Sequence, residues 1–341
     1  MTTSNPSPKR PTLTDVATAS GVSVALASIV LRNAEGASEA SRQKVKEAAA
    51  ALGYRPDSRA RSLRSHRSRT LGLTLMLGEP LHAQLADALY QEAEINGYEL
   101  ILGATSTQRD EQRTMDTLID AGVEGIIAVA SSLSPAEISN LATQVPVISL
   151  LRKYTGIPSV LTDEAAGIKH LVEHLADTGH TRLVHLDGGS AVASRQRAAA
   201  FAKAISHSAG RLHGEVVPAG ASEHIAAQAL GNYLEQLDPE HWPTAVIAFN
   251  DRSALGARQT ILSRGLRIPQ DMALTGFDDS EFARLAFADL TTSQQDVSAL
   301  AASAMNLAIA PTSGSRTVKH PPRLVIRSSA PGTPQAGPHS S

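Results

Sequence analysis

From residue 70 onward, short apolar runs alternate with longer amphipathic stretches, and this alternation constrains the fold more than any other feature of the chain. The apolar runs have the length of buried strands, and the stretches between them have the periodicity of helices that cover a sheet. Because strands separated by helices pair in parallel, the pattern predicts an α/β fold of parallel sheets flanked by helices. It continues for longer than one compact sheet needs, so we expect two lobes with a cleft between them.

The same pattern places the individual elements. Strands are predicted over residues 71–77, 100–104, 125–130, 147–151, 183–186, 246–249, 273–277 and 323–327. Helices are predicted over residues 82–95, 110–120, 164–177, 194–206, 225–237 and 253–264. Residues 311–322 form a polar break, and residues 328–341 are rich in Pro, Ser and Gly, which predicts a disordered tail.

The N-terminal part of the chain shows a purely helical pattern over residues 12–53. Gly21 suits the tight turn between two short helices, and Ser23 is placed to cap the second of them. A third helix is predicted between an N-cap at Ser38 and a terminating Gly53. Two helices joined in this way form a helix-turn-helix, which reads DNA with the outer face of its second helix in the major groove. The alternative is a three-helix bundle that binds no ligand.

An arginine-rich segment follows this helical pattern. Residues 56–69 contain five arginines and a single acidic residue. Leu63 lies among these arginines, and the small Ala60 precedes it by about one helical turn. A leucine flanked by cations is typical of a wedge that inserts between base steps in the minor groove. The alternative is a leucine that contacts the following domain.

The distribution of charge supports a nucleic-acid partner. Residues 1–70 carry twelve Lys and Arg against five Asp and Glu, a formal charge of +7. The remaining residues carry nineteen basic against twenty-eight acidic side chains, a formal charge of −9. The total of −2 therefore conceals a cationic segment that phosphate attracts, and DNA binding through it should fall steeply with salt.

The sequence also excludes several classes of protein. The absence of cysteine excludes disulfides, thiol catalysis and cysteine-ligated zinc, and it suits a reducing cytoplasm. The sequence has no apolar run of about twenty residues and no apolar secretion signal near Met1, so we expect a cytoplasmic protein with no membrane partner. His170 and His174 have the spacing of metal ligands, but no other feature supports a metal site. The usual catalytic motifs are missing, so neither an enzyme nor a cofactor is expected.

Short sequence blocks along the chain point to a known family. In the N-terminal part they are Thr14-Asp-Val-Ala17, Ser38-Glu-Ala-Ser-Arg-Gln-Lys-Val45, Leu52-Gly-Tyr-Arg-Pro56 and Ala60-Arg-Ser-Leu63. In the body they include Leu161-Thr-Asp163, Gly179-His180, Arg195-Gln-Arg197, Phe249-Asn-Asp251, Gly276-Phe-Asp-Asp279 and Leu290-Thr-Thr292. In these blocks and their order the chain resembles the lactose-repressor/galactose-repressor (LacI/GalR) family of bacterial transcription regulators over nearly its whole length.

The resemblance implies a particular domain organisation. A disordered arm over 1–10 would precede a helix-turn-helix domain over 11–56 and a hinge helix or linker over 57–69. Residues 70–327 would form a two-lobed effector-binding and dimerisation domain like a periplasmic binding protein, with a disordered tail over 328–341. The N-lobe would comprise about 70–162 and 294–320, and the C-lobe about 163–293 and 321–327.

The resemblance also implies that residues of the helix-turn-helix domain and the hinge contact DNA. These contacts fall on Thr12, Ser23, Val24, Ala25, Ser28, Ile29, Arg32, Tyr54, Arg59, Ala60 and Leu63. The family usually has polar side chains where this chain has Val24, Ala25 and Ile29, which make only apolar contacts such as those to thymine methyl groups. We therefore expect direct readout with few hydrogen bonds and a contribution from DNA deformability.

Family positions that contact an effector are matched by Arg152, Arg197, Asn250, Asp278 and Gln295. Arg197 can bind two ligand oxygens and Asp278 can accept from two hydroxyls, but the pair can instead form an interlobe salt bridge. The alternative for Asn250 is that it caps the helix that follows it and contacts no effector.

Another candidate and a departure from the family concern the same cleft. His82 can donate to an anionic ligand, or it can be an ordinary surface histidine. The aromatic platform that is common in the family is missing, since the chain has Gly220-Ala-Ser222 and Val297 at the matching positions. The cleft is therefore expected to take a small polar metabolite, sugar-like or acidic, or none.

Together these features predict a sequence-specific transcriptional regulator, a repressor as in most relatives. It would bind a pseudo-palindromic operator in double-stranded DNA as a homodimer and respond to a small-molecule effector in the cleft. An alternative is a regulator whose cleft binds no metabolite and which a partner protein controls. A third hypothesis is a solute-binding protein without DNA affinity, against which the N-terminal domain argues.

Overall fold

The computed structural model describes residues 11–31, 34–54, 68–106, 108–310 and 315–332. The chain divides into two compact units, Met1–Ser68 and Arg69–Ser341. The predicted arm over 1–10 and residues 57–67 of the predicted hinge lie outside the described residues. So do the predicted DNA contacts Arg32, Arg59, Ala60 and Leu63.

In the described part of the first unit, three helices surround a small apolar core. They are α1 (Leu13–Ser20), α2 (Val24–Leu31) and α3 (Glu39–Leu52). The chain bends by 103° at the break between α1 and α2, as the predicted helix-turn-helix requires. The buried core consists of Val16, Ala17, Ala27, Val30, Val45 and Ala49.

Local signals set the ends of these helices, as the sequence predicts. Gly21 ends α1 with φ 66°, a left-handed conformation that glycine adopts without strain. At the start of α2, the Leu26 N–H donates to the Ser23 hydroxyl at 3.2 Å. Ser38 caps the start of α3, and Gly53 ends that helix in the left-handed conformation.

The second unit consists of two sheets flanked by helices, which confirms the predicted α/β fold. In chain order its elements are β1 (Thr70–Met76), α4 (Pro80–Ile95), β2 (Glu99–Thr105), α5 (Glu111–Asp120), β3 (Gly125–Val129), α6 (Pro135–Leu141), β4 (Val147–Leu150), β5 (Ser159–Thr162), α7 (Glu164–Asp177), β6 (Arg182–Leu186), α8 (Ser194–Ser206), β7 (His213–Val217), α9 (Glu223–Glu235), β8 (Ala245–Ala248), α10 (Asp251–Ser263), β9 (Ala273–Asp278), β10 (Thr291–Gln294), α11 (Val297–Ile309), β11 (Thr317–His320) and β12 (Arg323–Val325). Short 3₁₀ turns occupy Pro239–His241 and Glu281–Arg284.

The strand order explains how the two lobes are connected. The first lobe has the order β11-β5-β4-β3-β1-β2, and the second lobe has β12-β10-β9-β8-β6-β7. The described pairs are parallel except for β10 with β12. The chain crosses between the lobes after β5, β10 and β11. All three crossovers therefore lie at one end of the sheets, and β2 and β7 form the opposite edges.

The sequence pattern did not predict β5, β7, β10 and β11. Strand β10 has the polar sequence Thr-Thr-Ser-Gln, yet its first three residues are buried. The Thr291 hydroxyl donates to the Arg327 carbonyl and the Thr292 hydroxyl donates to Asp251, so tertiary hydrogen bonds make burial of polar residues tolerable. The predicted polar break over 311–322 is wrong where β11 forms.

The prediction of a disordered tail over 328–341 is wrong for residues 328–332, which belong to the described structure. Ser329 and Ala330 are only 3% and 2% exposed. The Ser329 N–H donates to the Asp289 carbonyl, and the Ser329 carbonyl accepts from the Leu274 N–H. Small residues fit against the sheet here, although their composition resembles that of a linker. Residues 333–341 lie outside the described part of the chain.

None of the described helices is by itself long and apolar enough to cross a membrane. Taken together, α1 and α2 pass that test by length and composition, but they are the pair bent by 103°. Val16, Ala27 and Val30, which give this pair much of its apolar character, are buried in the core of the first unit.

Candidate functional site

Helix α2 has an inner and an outer face of different chemistry. Ala27 and Val30 are buried in the core, whereas Val24 is 44% exposed and Ala25 is also exposed. Ser28 and Ile29 are partly exposed. The outer face of α2, defined here as Val24, Ala25, Ser28 and Ile29, therefore offers a base edge mainly apolar contacts.

Three further candidates for DNA contact also have structural roles in the first unit. The Thr12 hydroxyl and backbone N–H both donate to Asp15 at 2.7 Å and form a capping box at the start of α1. The Ser23 hydroxyl caps α2. Tyr54 is half-buried and packs against the core of the three helices. A contact of these residues with DNA stays a prediction.

In the second unit, Arg197 lies at the centre of a buried polar cluster. This α8 residue is 4% exposed, and its Nε donates to Glu164 Oε2 at 2.7 Å. Its Nη1 donates to the Phe249 carbonyl, and its Nη2 lies 3.6 Å from Asp278 Oδ1. The guanidinium carbon lies 3.6 Å from the centroid of the Phe277 ring. Protein groups therefore hold this cation from several sides.

Asp278 and Gln295 connect this cluster to the crossover strands. The Gln295 Nε2 donates to Asp278 Oδ1 at 2.7 Å, and the Thr162 hydroxyl donates to Gln295 Oε1. The predicted salt bridge between Arg197 and Asp278 is present but does not join the lobes, because both residues belong to the second one. Asp278 has φ 107°, which non-glycine residues rarely adopt and which is typical of functional or strained positions.

The pKa values of two carboxyl groups in this region, those of the buried Asp251 and the mostly buried Asp278, lie well above the usual range. Burial raises the pKa of Asp278 to about 6, although the charge of Arg197 opposes the shift. Burial also raises the pKa of Asp251 to about 8, and the nearby charge of Asp278 adds to that shift. The Ser280 N–H and the Thr292 hydroxyl donate to Asp251, so this carboxyl group connects the start of α10 to β10 and to the segment after β9.

Asn250 and Arg152 form hydrogen bonds with nearby residues just after two other strands, β8 and β4. Asn250 Oδ1 accepts from the Ser253 N–H at 2.8 Å and caps α10, so the predicted capping role is confirmed. Arg152 follows β4 in the first lobe and donates to the Ser131 carbonyl. Its guanidinium lies 4.7 Å from the centroid of the Tyr154 ring. Contact of Asn250 or Arg152 with an effector stays a prediction.

His82 is a buried residue of the first lobe, so its interpretation as a surface histidine is wrong. It is 8% exposed, and its Nδ1 accepts from the Met76 N–H at 3.1 Å. Burial lowers the pKa of His82 to about 4. The ring is therefore neutral at physiological pH and offers an anion no positive charge.

A cavity of about 570 Å³ lies between the lobes at their crossover end. Its lining includes Gln84 of α4, Asp278, Gln295, Val297 of α11 and Arg323 of β12, so both lobes contribute. The structure thus brings Asp278 and Gln295 together at this cavity and beside Arg197.

Sequence reasoning missed two groups of residues near the cleft. Glu164 pairs with Arg197 across 33 positions of sequence, a tertiary relation that no local pattern encodes. Arg252, one position after Asp251, interacts with Glu79 of the first lobe and Glu223 of the second. Glu79 and Arg252 follow the predicted strands over 71–77 and 246–249, which was the signal for them, whereas Glu164 is the first residue of a predicted helix and follows a strand that was not predicted.

His174, one of the two histidines with the spacing of metal ligands, and His185 of β6 form contacts within the second lobe. His174 Nε2 lies 2.8 Å from the Ala330 carbonyl oxygen, and His185 Nδ1 lies 2.9 Å from that of Ile247. Burial lowers the pKa of His185 to about 4. These rings therefore anchor the C-terminal segment and the central strand.

A helix-turn-helix unit followed by two hinged α/β lobes defines a DNA-binding regulator that carries a solute-binding fold. Comparison with known proteins agrees. The model "Bacterial regulatory proteins, lacI family" matches residues 12–57, and the model "Periplasmic binding protein-like domain" matches residues 172–330.

Individual relatives resemble the chain over most of its length. It is 27% identical to the transcriptional regulator DegA of Bacillus subtilis over 93% of this chain and 97% of that protein. A LacI transcriptional regulator from a Rhodococcus species is 31% identical over 77% of this chain and 98% of that one, with a TM-score of 0.74. The Lac repressor dimer bound to operator and the anti-inducer ONPF is 26% identical over 95% and 100%, with a TM-score of 0.81. The chain belongs to the LacI family of bacterial regulatory proteins and is a helix-turn-helix transcriptional regulator.

Proposed function

We propose that this regulator represses transcription from a pseudo-palindromic operator, which it binds as a homodimer in the cytoplasm. The observation that carries the proposal is the exposed outer face of α2 within a segment of formal charge +7. Phosphate attraction supplies affinity, and insertion of that face into the major groove supplies specificity. The similar Lac repressor dimer, which is bound to its operator, supports the same arrangement for this chain.

Exposed apolar side chains near the edge strand of the first lobe support pairing with a second copy. Met76, Leu77, Tyr90, Ile101 and Leu102 are 38–59% exposed. Strand β2 is the edge of its sheet, and an exposed edge that bears apolar side chains is normally covered. A second copy of the chain covers this surface in the proposed dimer.

The polar groups between the lobes support a small effector. Asp278 and Gln295 face the 570 Å³ cavity, whose size suits a small metabolite. Arg197 is already paired with Glu164, so an acidic ligand would compete with a buried carboxylate. A hydroxyl-rich, sugar-like effector can instead accept from and donate to these groups without displacing a charge.

The contacts within the cleft also favour a second candidate function. Arg197, Glu164, Asp278 and Gln295 satisfy one another without a ligand, and an aromatic platform is missing at Gly220 and its neighbours. A regulator of this second kind has a cleft that binds no metabolite, and a partner protein controls its operator affinity.

Footprinting and calorimetry test these proposals together. Purified protein should protect two half-sites about one helical turn apart in its own upstream DNA, with two chains per site. Calorimetry against a panel of sugars and polyols should then find one saturable ligand that changes operator affinity. Protection without any such ligand would leave the partner-controlled regulator, and protection of no discrete site would contradict the proposed operator.

A further inference from the structure

The chain crosses between the two lobes at one end of the sheets, and no described crossover joins them at the other end. The crossovers after β5, β10 and β11 lie at one end of the sheets, whereas β2 and β7 lie at the far edges. A hinge at one end allows the cleft to open at the other. Whatever contact joins the lobes away from the crossovers therefore sets how far the cleft opens without a ligand.

Arg252 makes such a contact. It lies near the start of α10 in the second lobe, where its Nε donates to Glu223 Oε2 at 2.6 Å. Its Nη1 donates to the Gly78 carbonyl of the first lobe at 3.3 Å and lies 3.7 Å from Glu79 Oε1. Strands β1 and β8, which precede these residues, are both inner strands away from the crossovers. One guanidinium thus joins the two lobes.

The electrostatic surroundings are consistent with this bridge. The 2.6 Å hydrogen bond from Arg252 Nε identifies Glu223 as the anchor of the guanidinium, and this hydrogen bond lowers the pKa of Glu223. Partial burial raises the pKa of Glu79 while the charge of Arg252 opposes the shift. Arg252 therefore stabilises the charged form of Glu79 against the effect of burial.

We propose that Arg252, anchored on Glu223, is a latch that binds Gly78 and Glu79 and holds the cleft closed when no effector is present. The latch sets the ratio of closed to open protein against which an effector acts. This regulatory consequence depends on the proposed function, whereas the closure itself does not. An effector that binds the closed form adds to the latch, and one that binds the open form must release it.

Arg264 provides a matched control at the other end of the same helix pair. Its Nη2 donates to the Gly231 carbonyl at 2.9 Å and to Glu235 Oε1 at 3.0 Å. Its side chain is 24% exposed, close to the 28% of Arg252. Both of its partners lie on α9 of the second lobe. Arg264→Met therefore removes a comparable ion pair without affecting an interlobe contact.

The test is a distance measurement between spin labels on the two lobes of the full chain. The natural chain has no cysteine, so Arg113→Cys on α5 and Gln228→Cys on α9 give two defined labels. Both positions are exposed and follow the edge strands β2 and β7, where opening moves the lobes furthest. Dilution with unlabelled natural chain suppresses distances between subunits.

Arg252→Met and Glu79→Ala should each raise the ratio of long to short distances about two- to fivefold, the range of partly exposed ion pairs. Arg264→Met should leave it unchanged. Raising ionic strength from about 0.1 M to 1 M should open the natural protein but not Arg252→Met.

Distances in both latch variants that match those of Arg264→Met would overturn the proposal. Glu79→Ala keeps every second-lobe contact, so it tests the latch even if Arg252→Met fails to fold. A failure of operator binding would contradict the proposed function and leave these distances interpretable.

Discussion

The outer face of α2 and the cluster around Arg197 both face a prospective ligand, but they differ in how far their polar groups are already engaged. On α2 the exposed residues are Val24 and Ala25, which have no side-chain donors or acceptors to engage. Around Arg197, in contrast, Glu164 and Asp278 are hydrogen-bonded or ion-paired within the protein. In the proposed complexes, the outer face of α2 would therefore contact DNA mainly through shape and apolar groups, whereas an effector would exchange hydrogen bonds with groups that already stabilise the fold.

The largest expected effect comes from breaking the cluster. Arg197→Ala leaves Glu164 and Asp278 buried without their cation, which should lower the free energy of unfolding by about 3–5 kcal/mol. Urea denaturation followed by circular dichroism measures this loss. Arg267→Ala is the control, since that arginine is 71% exposed and pairs only with Asp271 four positions away. Equal stabilities of the two variants would show that the cluster does not support the fold.

A second effect concerns pH. The folded-state pKa of Asp278 is about 6, above its ordinary value of 3.8, so folded protein binds more protons than unfolded protein between these values. The contribution of Asp278 to stability is therefore greatest below about pH 4 and is lost as pH rises through 6. Asp251, with a pKa of about 8, extends the same trend to higher pH.

Asp278→Asn should remove the contribution of Asp278 to that trend. Between pH 4 and 7, the stability of the natural protein should fall by about 1–3 kcal/mol relative to this variant. Asp271→Asn is the control, because the hydrogen bond from Arg267 lowers the pKa of Asp271 to about 2, below the measured window. A constant difference between natural protein and Asp278→Asn would mean that this carboxyl group does not titrate there.

A smaller effect is expected at the proposed minor-groove wedge, Leu63, which lies outside the described residues. Leu63→Ala should weaken binding to the operator by about 1–2 kcal/mol, because unstacked base steps lose their apolar partner. Binding to random DNA should change less. Equal losses on both DNAs, measured by fluorescence anisotropy, would show that Leu63 is no wedge.

The smallest effect sharpens the description of α2. Val24→Ala removes exposed methyl groups and should weaken operator binding by about 1 kcal/mol while leaving the free energy of unfolding within about 0.5 kcal/mol. Gln43→Ala on the exposed surface of α3 is the control. A loss of stability in Val24→Ala that matches its loss of affinity would mean that this side chain supports the helix rather than the DNA contact.

Features that depend on neighbouring residues were predictable from the sequence. Gly21, Ser23, Ser38 and Gly53 fix helix ends through their own backbone conformation or a hydroxyl a few residues away, and the structure confirms them. The buried apolar strands were predictable for the same reason, since their pattern is local.

Features that depend on distant residues were not predictable. Burial of Thr291 and Thr292 in β10 is tolerable because the Arg327 carbonyl and the Asp251 carboxyl group accept hydrogen bonds from their hydroxyl groups. Glu164 acquires Arg197 as its partner only when the second lobe folds, and Arg252 reaches Gly78 only when the two lobes meet. The cluster around Arg197 could be named from the family resemblance, but its internal pairing required the tertiary structure.

The central claim is that a cationic, apolar-faced N-terminal unit makes this chain a specific DNA reader. The most direct test is the affinity of the purified protein for its own upstream DNA and for a scrambled duplex across a salt series. We expect tighter binding to the upstream fragment at every salt concentration, with both affinities falling steeply as salt rises. Equal affinities for the two duplexes would contradict the claim, because α2 would then add nothing to phosphate attraction.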